Sequence, residues 1–164
     1  MKAIPFFILS LSLLALSTPA LAWEARIVDV ADGDTITVEP AEGGERIKIR
    51  LHGIDAPETK QPYGQAAKGF VNDVALYKQV EVRVTPQGKD RYGRVIAVIA
   101  LPDGAILQEL LLQEGLAWVY TQYCKDCETW KAMESEARSQ KKRTLGRGQP
   151  DGALGMAKRV QAFE

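Results

Sequence analysis

Residues 27–51, IVDVADGDTITVEPAEGGERIKIRL, decide the fold because they contain three β-strands in close succession. Apolar residues at 27, 28 and 30 open the first strand, and an Asp-Gly-Asp turn at 32–34 leads into the β-branched stretch 35–38. Residues 46–51 then alternate strictly between apolar and basic side chains, which is typical of a strand with one buried face. The stretch therefore predicts three strands that follow one another through short connections.

The elements that follow are marked by changes in the spacing of apolar residues. Helical spacing predicts an amphipathic helix over residues 65–77, and alternation predicts a fourth strand at 80–84. Residues 94–101 are almost continuously apolar and predict a fifth strand, while 53–64 and 86–93 are expected to be loops. Apolar stripes indicate two more helices. The first stripe consists of Leu107, Leu110 and Leu111, and Gly115 could end this helix as its C′ residue. The second stripe consists of Trp130, Met133 and Ala137.

The resulting order is β-β-β-α-β-β-α-α, which is that of the OB-fold, a five-stranded Greek-key β-barrel with helices. The fold class is therefore expected to be α+β with a closed barrel, although a small open α+β sheet fits the same order of elements. The OB-fold hosts binding proteins and enzymes alike, so function has to be argued from particular residues.

Composition narrows the chemistry that the chain can perform. Its 164 residues are typical of a single domain, and 21 basic residues balance 21 acidic ones. This balance excludes a strongly basic coat protein for nucleic acids, so a polyanion would have to be held by local charge. Two cysteines and one histidine exclude most zinc ligand sets. Carboxylates, arginines and hydroxyls remain as the candidate reactive groups.

The amino-terminal segment has the pattern of a secretory signal. Lys2 is followed by an apolar run at residues 6–16 and by small residues at 20 and 22, which predicts cleavage after Ala22. A retained anchor is the alternative, but the run is short against the ~20 residues that a membrane-spanning helix needs. We therefore expect an exported protein, periplasmic or secreted, that leaves the membrane once residues 1–22 are removed. A domain over 23–145 and a glycine-rich tail over 146–164 follow.

Two carboxylates on the 32–34 turn are the first candidates for chemistry. Asp32 and Asp34 offer hard oxygen ligands for a cation such as calcium. The alternative is a plain turn, because aspartate and glycine are common in turns without any ligand. The turn alone therefore does not indicate a metal site.

The second candidate group follows the third strand. Arg50 offers a five-donor guanidinium for a phosphate, Asp55 a metal ligand and Glu58 a base, and Pro57 stiffens the loop that carries the carboxylates. The alternative is a solvated arginine that pairs with one of these carboxylates. A third group, Arg91, Tyr92 and Arg94, offers a second guanidinium and a stacking face, or else a basic surface loop.

Taken together, these segments resemble the staphylococcal nuclease (thermonuclease) family in order and spacing, from about residue 26 to about residue 145. The resemblance rests on five motifs: D-G-D-T at 32–35, R-x-x-x-I-D-x-P-E at 50–58, Y-G-Q-x-A at 63–67, D-R-Y-G-R at 90–94 and L-L-x-x-G-L-A-W-V at 111–119. Each motif is weak alone, and the five in register are specific. The family folds as an OB barrel with three helices, which agrees with the order of elements above.

The resemblance implies a Ca²⁺-dependent nuclease that hydrolyses DNA and RNA with little sequence preference, cleaving the 5′ P–O bond to leave 3′-phosphates. It implies that metal is held by Asp34, Asp55 and the Ala56 carbonyl, with Asp32 acting through water. Glu58 would orient or deprotonate the attacking water, and Arg50 and Arg94 would bind the phosphate. These roles suit phosphodiester hydrolysis, which needs in-line water and stabilisation of charge on the phosphate oxygens.

The resemblance is looser for the residues that would contact substrate. Tyr120 and Tyr123 correspond approximately to stacking tyrosines of the family, and Arg91 and Tyr92 are further candidates. His52, the one histidine, lies at a position with no catalytic role in the family. The near-neutral charge predicts weak or unusually salt-sensitive binding of nucleic acid. The chain is expected to be a monomer.

The pair Cys124 and Cys127 allows three interpretations. In an exported chain the simplest is a local disulfide, while thiol-disulfide catalysis lacks its usual βαβ context and zinc lacks two further ligands.

The nuclease has two rival interpretations. The expected fold allows an OB-fold module that binds nucleic acid without chemistry, and the cysteine pair allows a redox protein. The enzyme is favoured over a pure binding module, which has no need for all four of the residues present together here: Arg50, Asp55, Glu58 and Arg94.

Overall fold

The computed structural model describes residues 22–124 and 127–142, and these residues form ten strands and helices. They are, in order, β1 (Ala22–Val30), β2 (Thr35–Pro40), β3 (Ile47–Leu51), β4 (Ile54–Asp55), α1 (Gly64–Ala75), β5 (Gln79–Lys89), β6 (Val95–Ala100), α2 (Leu107–Gln113), β7 (Trp118–Val119) and α3 (Glu128–Ser139). The expected signal segment, apart from Ala22, and the expected tail lie outside the described residues. No helix within the described part of the chain is long and apolar enough to cross a membrane.

Five strands close into a barrel in the order β1-β2-β3-β6-β5. All neighbouring pairs are antiparallel except β3 and β6, which run parallel, and β5 closes the barrel against β1. The predicted five-stranded OB-type barrel with three helices is therefore confirmed. The apolar faces predicted from alternation point inward: Ile27, Ile36, Val38, Ile49 and Leu51 are all buried.

Two short strands were not anticipated from the sequence. β4 and β7 have two residues each and pair with each other outside the barrel, through Ile54 with Val119 and Asp55 with Trp118. Two residues are too few for alternation to be visible, so residues 53–64 were expected to be loop throughout. The pairing matters because it attaches the segment carrying Asp55 to the helical part of the domain.

The helix α1 and the strand β5 differ from their predicted bounds. The helix was expected to reach residue 77 but ends at Ala75, because the Tyr77 N–H donates to the Ile27 carbonyl of β1 at 2.9 Å. β5 was expected to end before Pro86 but continues to Lys89. Its pairing with β6 is irregular between residues 84 and 89, and a proline that lacks an N–H is tolerated in such a stretch.

The helix α2 ends as its sequence indicates. Gly115 follows the last turn with φ +65°, the left-handed conformation that glycine adopts without steric cost. Its N–H donates to the Leu112 carbonyl, and the next N–H, that of Leu116, donates to Leu111. The predicted C′ glycine is therefore confirmed, and α3 contains the predicted apolar stripe.

A buried glutamine joins α2 to the barrel. The amide nitrogen of Gln108 donates to the Ala97 carbonyl at 3.0 Å, and its oxygen accepts from the Ile99 N–H at 3.3 Å. The residue is fully buried. The Ala97 carbonyl also accepts from the His52 N–H at 2.9 Å, whereas Ile99 lies beyond the part of β6 that pairs with β3, so its N–H is the main-chain group that Gln108 satisfies there.

The substitution Gln108→Leu is expected to lower the free energy of unfolding by about 1–3 kcal/mol, because it removes the side-chain acceptor of the Ile99 N–H and one of the two donors to the Ala97 carbonyl. Urea unfolding followed by circular dichroism measures the change. The matched control is Gln113→Leu, on the exposed face of the same helix. Equal stability of the two variants would contradict this role of Gln108.

Candidate active site

The turn between β1 and β2 presents two carboxylates. The Oδ1 atom of Asp32 accepts a hydrogen bond from the Asp34 N–H at 3.0 Å, which closes the turn. A Cβ at Gly33 would lie 2.8 Å from the Cβ atoms of both Ala56 and Ala67, so only glycine fits there. The turn is therefore packed tightly against α1 and against the loop that follows β4.

The carboxylate of Asp34 connects three segments of the chain. Its Oδ2 atom accepts a hydrogen bond from the Ala56 N–H at 2.9 Å and lies 3.2 Å from an Nη atom of Arg50. Its Oδ1 atom accepts from the Thr35 hydroxyl at 3.1 Å. The side chain is only 8% exposed, which makes this a buried charge held by hydrogen bonds and one ion pair.

Arg50 is held on all sides rather than solvated. Its Nη1 atom donates to the carbonyls of Leu51 at 2.9 Å and Ile54 at 2.8 Å. Its Nη2 atom donates to Asp55 at 2.9 Å and forms the ion pair with Asp34. The polar face of β3 is thus covered here by the segment that follows it. The alternative is wrong in expecting a solvated arginine, whereas the pairing with Asp55 that it included is present.

The three aspartates Asp32, Asp34 and Asp55, called the acidic cluster below, repel one another. Burial raises the pKa of Asp34, Arg50 lowers it, and the charge of Asp55 raises it again. Burial also raises the pKa of Asp55, with Arg50 opposing and the charges of Glu58 and Asp32 adding. Burial and then the charge of Asp34 raise the pKa of Asp32. One arginine therefore leaves the acidic cluster with uncompensated negative charge.

The donor set of this cluster consists of carboxylate oxygens, which suit a hard cation. In residues 22–124 and 127–142, no three His, Cys, Asp or Glu side chains are already arranged around a common metal position. Instead, the oxygens of Asp34 are engaged by Arg50, the Ala56 N–H and the Thr35 hydroxyl, and Oδ1 of Asp55 is engaged by Arg50. The chemistry and the charge of the cluster fit a divalent cation that keeps part of its water shell.

Glu58 lies on the loop after β4 and is exposed. No Lys, Arg or His of the described chain forms an ion pair with its carboxylate. Its charge contributes to the raised pKa of Asp55, which places it beside the acidic cluster. A carboxylate that faces solvent next to a cation site is suited to orient or deprotonate water.

Arg94, which immediately precedes β6, is connected to the same cluster. Its Nε atom donates to Asp90 at 2.7 Å, and its Nη1 atom donates to the Thr35 hydroxyl at 3.1 Å. That hydroxyl donates in turn to Asp34. Thr35 and Asp90 were not assigned roles from the sequence, although both lie inside the recognised motifs. The two guanidiniums, of Arg50 and Arg94, are therefore connected through Asp34 and Thr35.

The loop between β5 and β6 exposes the third candidate group. The side chain of Tyr92 is 65% exposed, and the guanidinium of Arg91 lies over its ring at 4.8 Å. Arg91 also donates to the Tyr92 hydroxyl at 2.7 Å, and Arg94 lies 5.5 Å from the ring centre. Tyr92 thus links an exposed cationic surface to Arg94.

Tyr120 and Tyr123 lie together, with their ring centres 5.1 Å apart. The Tyr120 N–H donates to the Gly53 carbonyl at 2.9 Å, in the turn between β3 and β4. Burial, the charge of Tyr123 and the charge of Asp55 raise the pKa of the Tyr120 hydroxyl. The tyrosine pair therefore borders the acidic cluster.

A disulfide joins Cys124 and Cys127 next to this pair. The sulfur of Cys124 packs on the β3–β4 turn, since a Cβ at Gly53 would lie 2.7 Å from it. His52 faces Trp130 of α3 at 6.4 Å, and burial lowers its pKa. Its buried Nδ1 atom has no hydrogen-bond partner among the described residues, so nothing in its surroundings orients it as a base.

Comparison with known proteins identifies related nucleases. The family model for staphylococcal nuclease homologues matches residues 48–144. An uncharacterized endonuclease of Escherichia coli is 39% identical over 117 residues, which cover 71% of this chain and 73% of that protein. A micrococcal nuclease of Shigella flexneri is 37% identical over 139 residues, covering 78% and 77%. A thermonuclease of Staphylococcus hyicus is 37% identical over 98 residues, covering 56% of each chain.

The raised pKa of Asp55 predicts a pH-dependent effect of Asp55→Asn in metal-free protein. Because the pKa in the folded state lies above the ordinary value of 3.8, the native protein loses stability as pH rises through that folded-state pKa. The variant lacks this loss, so its stability relative to the unsubstituted protein is expected to increase from pH 4 to pH 7. Urea unfolding in EDTA at several pH values measures the difference.

Asp73→Asn is the matched control, since Asp73 is exposed on α1. A stability difference for Asp55→Asn that stays flat with pH, or that changes in the opposite direction, would contradict the electrostatic account of the acidic cluster.

Proposed function

The chain belongs to the staphylococcal nuclease family and is an endonuclease that hydrolyses phosphodiesters, and on that premise we propose that it cleaves DNA and RNA with calcium as its metal. The observation that carries the proposal is the acidic cluster between two arginines, with Glu58 exposed beside it. Cleavage of the 5′ P–O bond, leaving 3′-phosphates, and little sequence preference are the expected chemistry.

Asp34 and Asp55 are proposed to hold the cation, with the Ala56 carbonyl as a further ligand and Asp32 acting through water. The uncompensated charge of the acidic cluster supports this assignment, as do its oxygen donors, which are the ligands that calcium prefers. A bound divalent cation supplies charge stabilisation at the phosphate and lowers the pKa of water bound to it.

Glu58 is proposed to orient or deprotonate the water that attacks phosphorus. Its exposure leaves room for that water. Because no described Lys, Arg or His forms an ion pair with the carboxylate, the carboxylate is available as an acceptor. His52, the other candidate base by residue type, packs against Trp130 and is proposed to have no part in proton transfer.

Arg50 and Arg94 are proposed to bind the phosphate and the charge that develops on its oxygens in the transition state. Two carbonyl acceptors fix the plane of the Arg50 guanidinium, and Asp90 and Thr35 fix that of Arg94. Arg50 also pairs with Asp34 and Asp55, so binding a phosphate oxygen through Nη2 becomes favourable once further positive charge neutralises those carboxylates.

The exposed aromatic residues are proposed to contact the bases of the substrate. Tyr120 and Tyr123 border the acidic cluster. The ring of Tyr92 lies beside the guanidinium of Arg94, and Arg91 donates to the Tyr92 hydroxyl. Stacking requires unpaired bases, because those in a duplex are already stacked on one another. We therefore propose that single-stranded or transiently opened nucleic acid is the preferred substrate of a monomeric enzyme.

Export is the proposed localisation, with removal of residues 1–22. The sequence pattern of that segment supports it, and so does the disulfide of Cys124 and Cys127, because disulfides persist in oxidising compartments. Amino-terminal sequencing of protein recovered outside the cytoplasm is expected to begin at Trp23. An amino terminus at Met1 would contradict the proposal.

Purified protein is expected to cleave heat-denatured DNA in calcium and not in EGTA, and Glu58→Gln is expected to lower kcat by about 10²–10⁴-fold through loss of the base. Initial rates on a labelled oligonucleotide, with end-group analysis of the products, measure both effects. Glu42→Gln, on the exposed loop between β2 and β3, is the matched control.

Calcium-dependent cleavage that survives Glu58→Gln would retain the nuclease and remove Glu58 as its base. Absence of cleavage by folded protein would favour the alternative of a binding module without chemistry.

A further inference from the structure

The main chain of Glu58 is held by a single neighbouring residue. The side-chain oxygen Oε1 of Gln61 accepts a hydrogen bond from the Glu58 N–H at 2.8 Å. The main-chain N–H of Gln61 donates back to the Glu58 carbonyl at 2.7 Å. Both polar groups of the Glu58 backbone therefore end on Gln61, in a reciprocal pair that closes the loop into a tight turn.

The start of α1 presses this turn into place. The Gly64 N–H donates to the Gln61 carbonyl at 3.0 Å, and a Cβ at Gly64 would overlap the carbonyl oxygen of Glu58. Tyr63, which precedes the helix, has φ 65°, so the chain bends sharply between the turn and α1. Gln61 therefore connects the start of α1 to Glu58, the residue proposed as the base, through hydrogen bonds.

The Glu58 side chain has no such support of its own. Its carboxylate accepts no hydrogen bond from any described residue, and the residue is exposed. Its place beside Asp55 therefore depends on where the main chain presents it. The next residue adds one more tether, as the Thr59 hydroxyl donates to the Ala31 carbonyl at 3.2 Å.

We propose that Gln61 is a positioning residue for Glu58, and that its side-chain hydrogen bond sets the reach of the carboxylate toward the attacking water. The inference rests on the proposed function, because it gives Gln61 a role in that reaction. A general base displaced by about 1 Å costs up to about 100-fold in rate. Phosphate binding by Arg50 and Arg94 involves other segments, so the effect falls on kcat and not on KM.

The test compares Gln61→Met, which keeps the length of the side chain and removes the acceptor, with Gln61→Glu, which keeps an acceptor oxygen. Gln61→Met is expected to lower kcat about 10- to 100-fold with KM within about twofold, and Gln61→Glu to retain most of the activity. Gln65→Met, on the exposed face of α1, is the matched control.

A double-mutant cycle separates positioning from a structural role. In the Glu58→Gln background, Gln61→Met is expected to cause no further loss, because the group that it positions is already absent. An undiminished loss in that background would overturn the proposal, as would a normal kcat in Gln61→Met or a Gln61→Glu variant no better than Gln61→Met.

Amide hydrogen exchange at Glu58 gives a readout that does not need activity. Protection of the Glu58 N–H in the unsubstituted protein and in Gln61→Glu, and its loss in Gln61→Met, is expected. Lack of protection in the unsubstituted protein overturns the positioning role. Failure of the proposed function is distinct, since absent cleavage would remove the nuclease, and an active Glu58→Gln variant would retain the nuclease but remove Glu58 as its base.

Discussion

The buried carboxylate of Asp34 is the interaction on which the rest of the site depends. It accepts the Ala56 N–H from the loop after β4, the Thr35 hydroxyl from β2 and an ion pair from Arg50 on β3. The β1–β2 turn, β3 and the loop after β4 are thus brought together by this one group. Removing one partner of a buried ion pair costs about 3–5 kcal/mol in other proteins, because the remaining charge loses its compensation. The turn that carries Asp34 is therefore both a structural joint and part of the site.

The same arrangement explains why an acidic cluster can serve a reaction on a polyanion. Arg50 offsets part of the charge of Asp34 and Asp55, since one guanidinium faces two carboxylates, and burial raises the pKa of both carboxylates. A cation bound there would complete the neutralisation and allow the guanidiniums of Arg50 and Arg94 to face a phosphate. Affinity for nucleic acid then comes from local charge at the site, which is consistent with a chain whose acidic and basic residues balance overall.

Much of the fold could be predicted because it depends on periodicity. Alternation at residues 46–51 and helical spacing at 65–77 indicate which faces are buried, and the order of these elements is that of the barrel, although an open sheet fits the same order. The pairing of β4 with β7 could not be predicted, since two residues carry no period. The extent of β5 past Pro86 depends on an irregularity in pairing with β6 that local sequence does not show.

The site residues were recognised as motifs, but their relations were not. Alternation places Arg50 on a polar face, and only the folded chain shows that the following segment covers it. The link from Arg94 through Thr35 to Asp34 joins residues that lie far apart in the sequence. Gln61 was unremarkable in the sequence because its importance lies in a hydrogen bond to the Glu58 main chain.

Calorimetric titration of metal-free protein with calcium is the most direct test of the central claim, which is that the acidic cluster binds the metal. One binding site per chain, lost in Asp55→Asn, is predicted; no binding, or binding of equal strength in that variant, would contradict the assignment of the acidic cluster as the metal site.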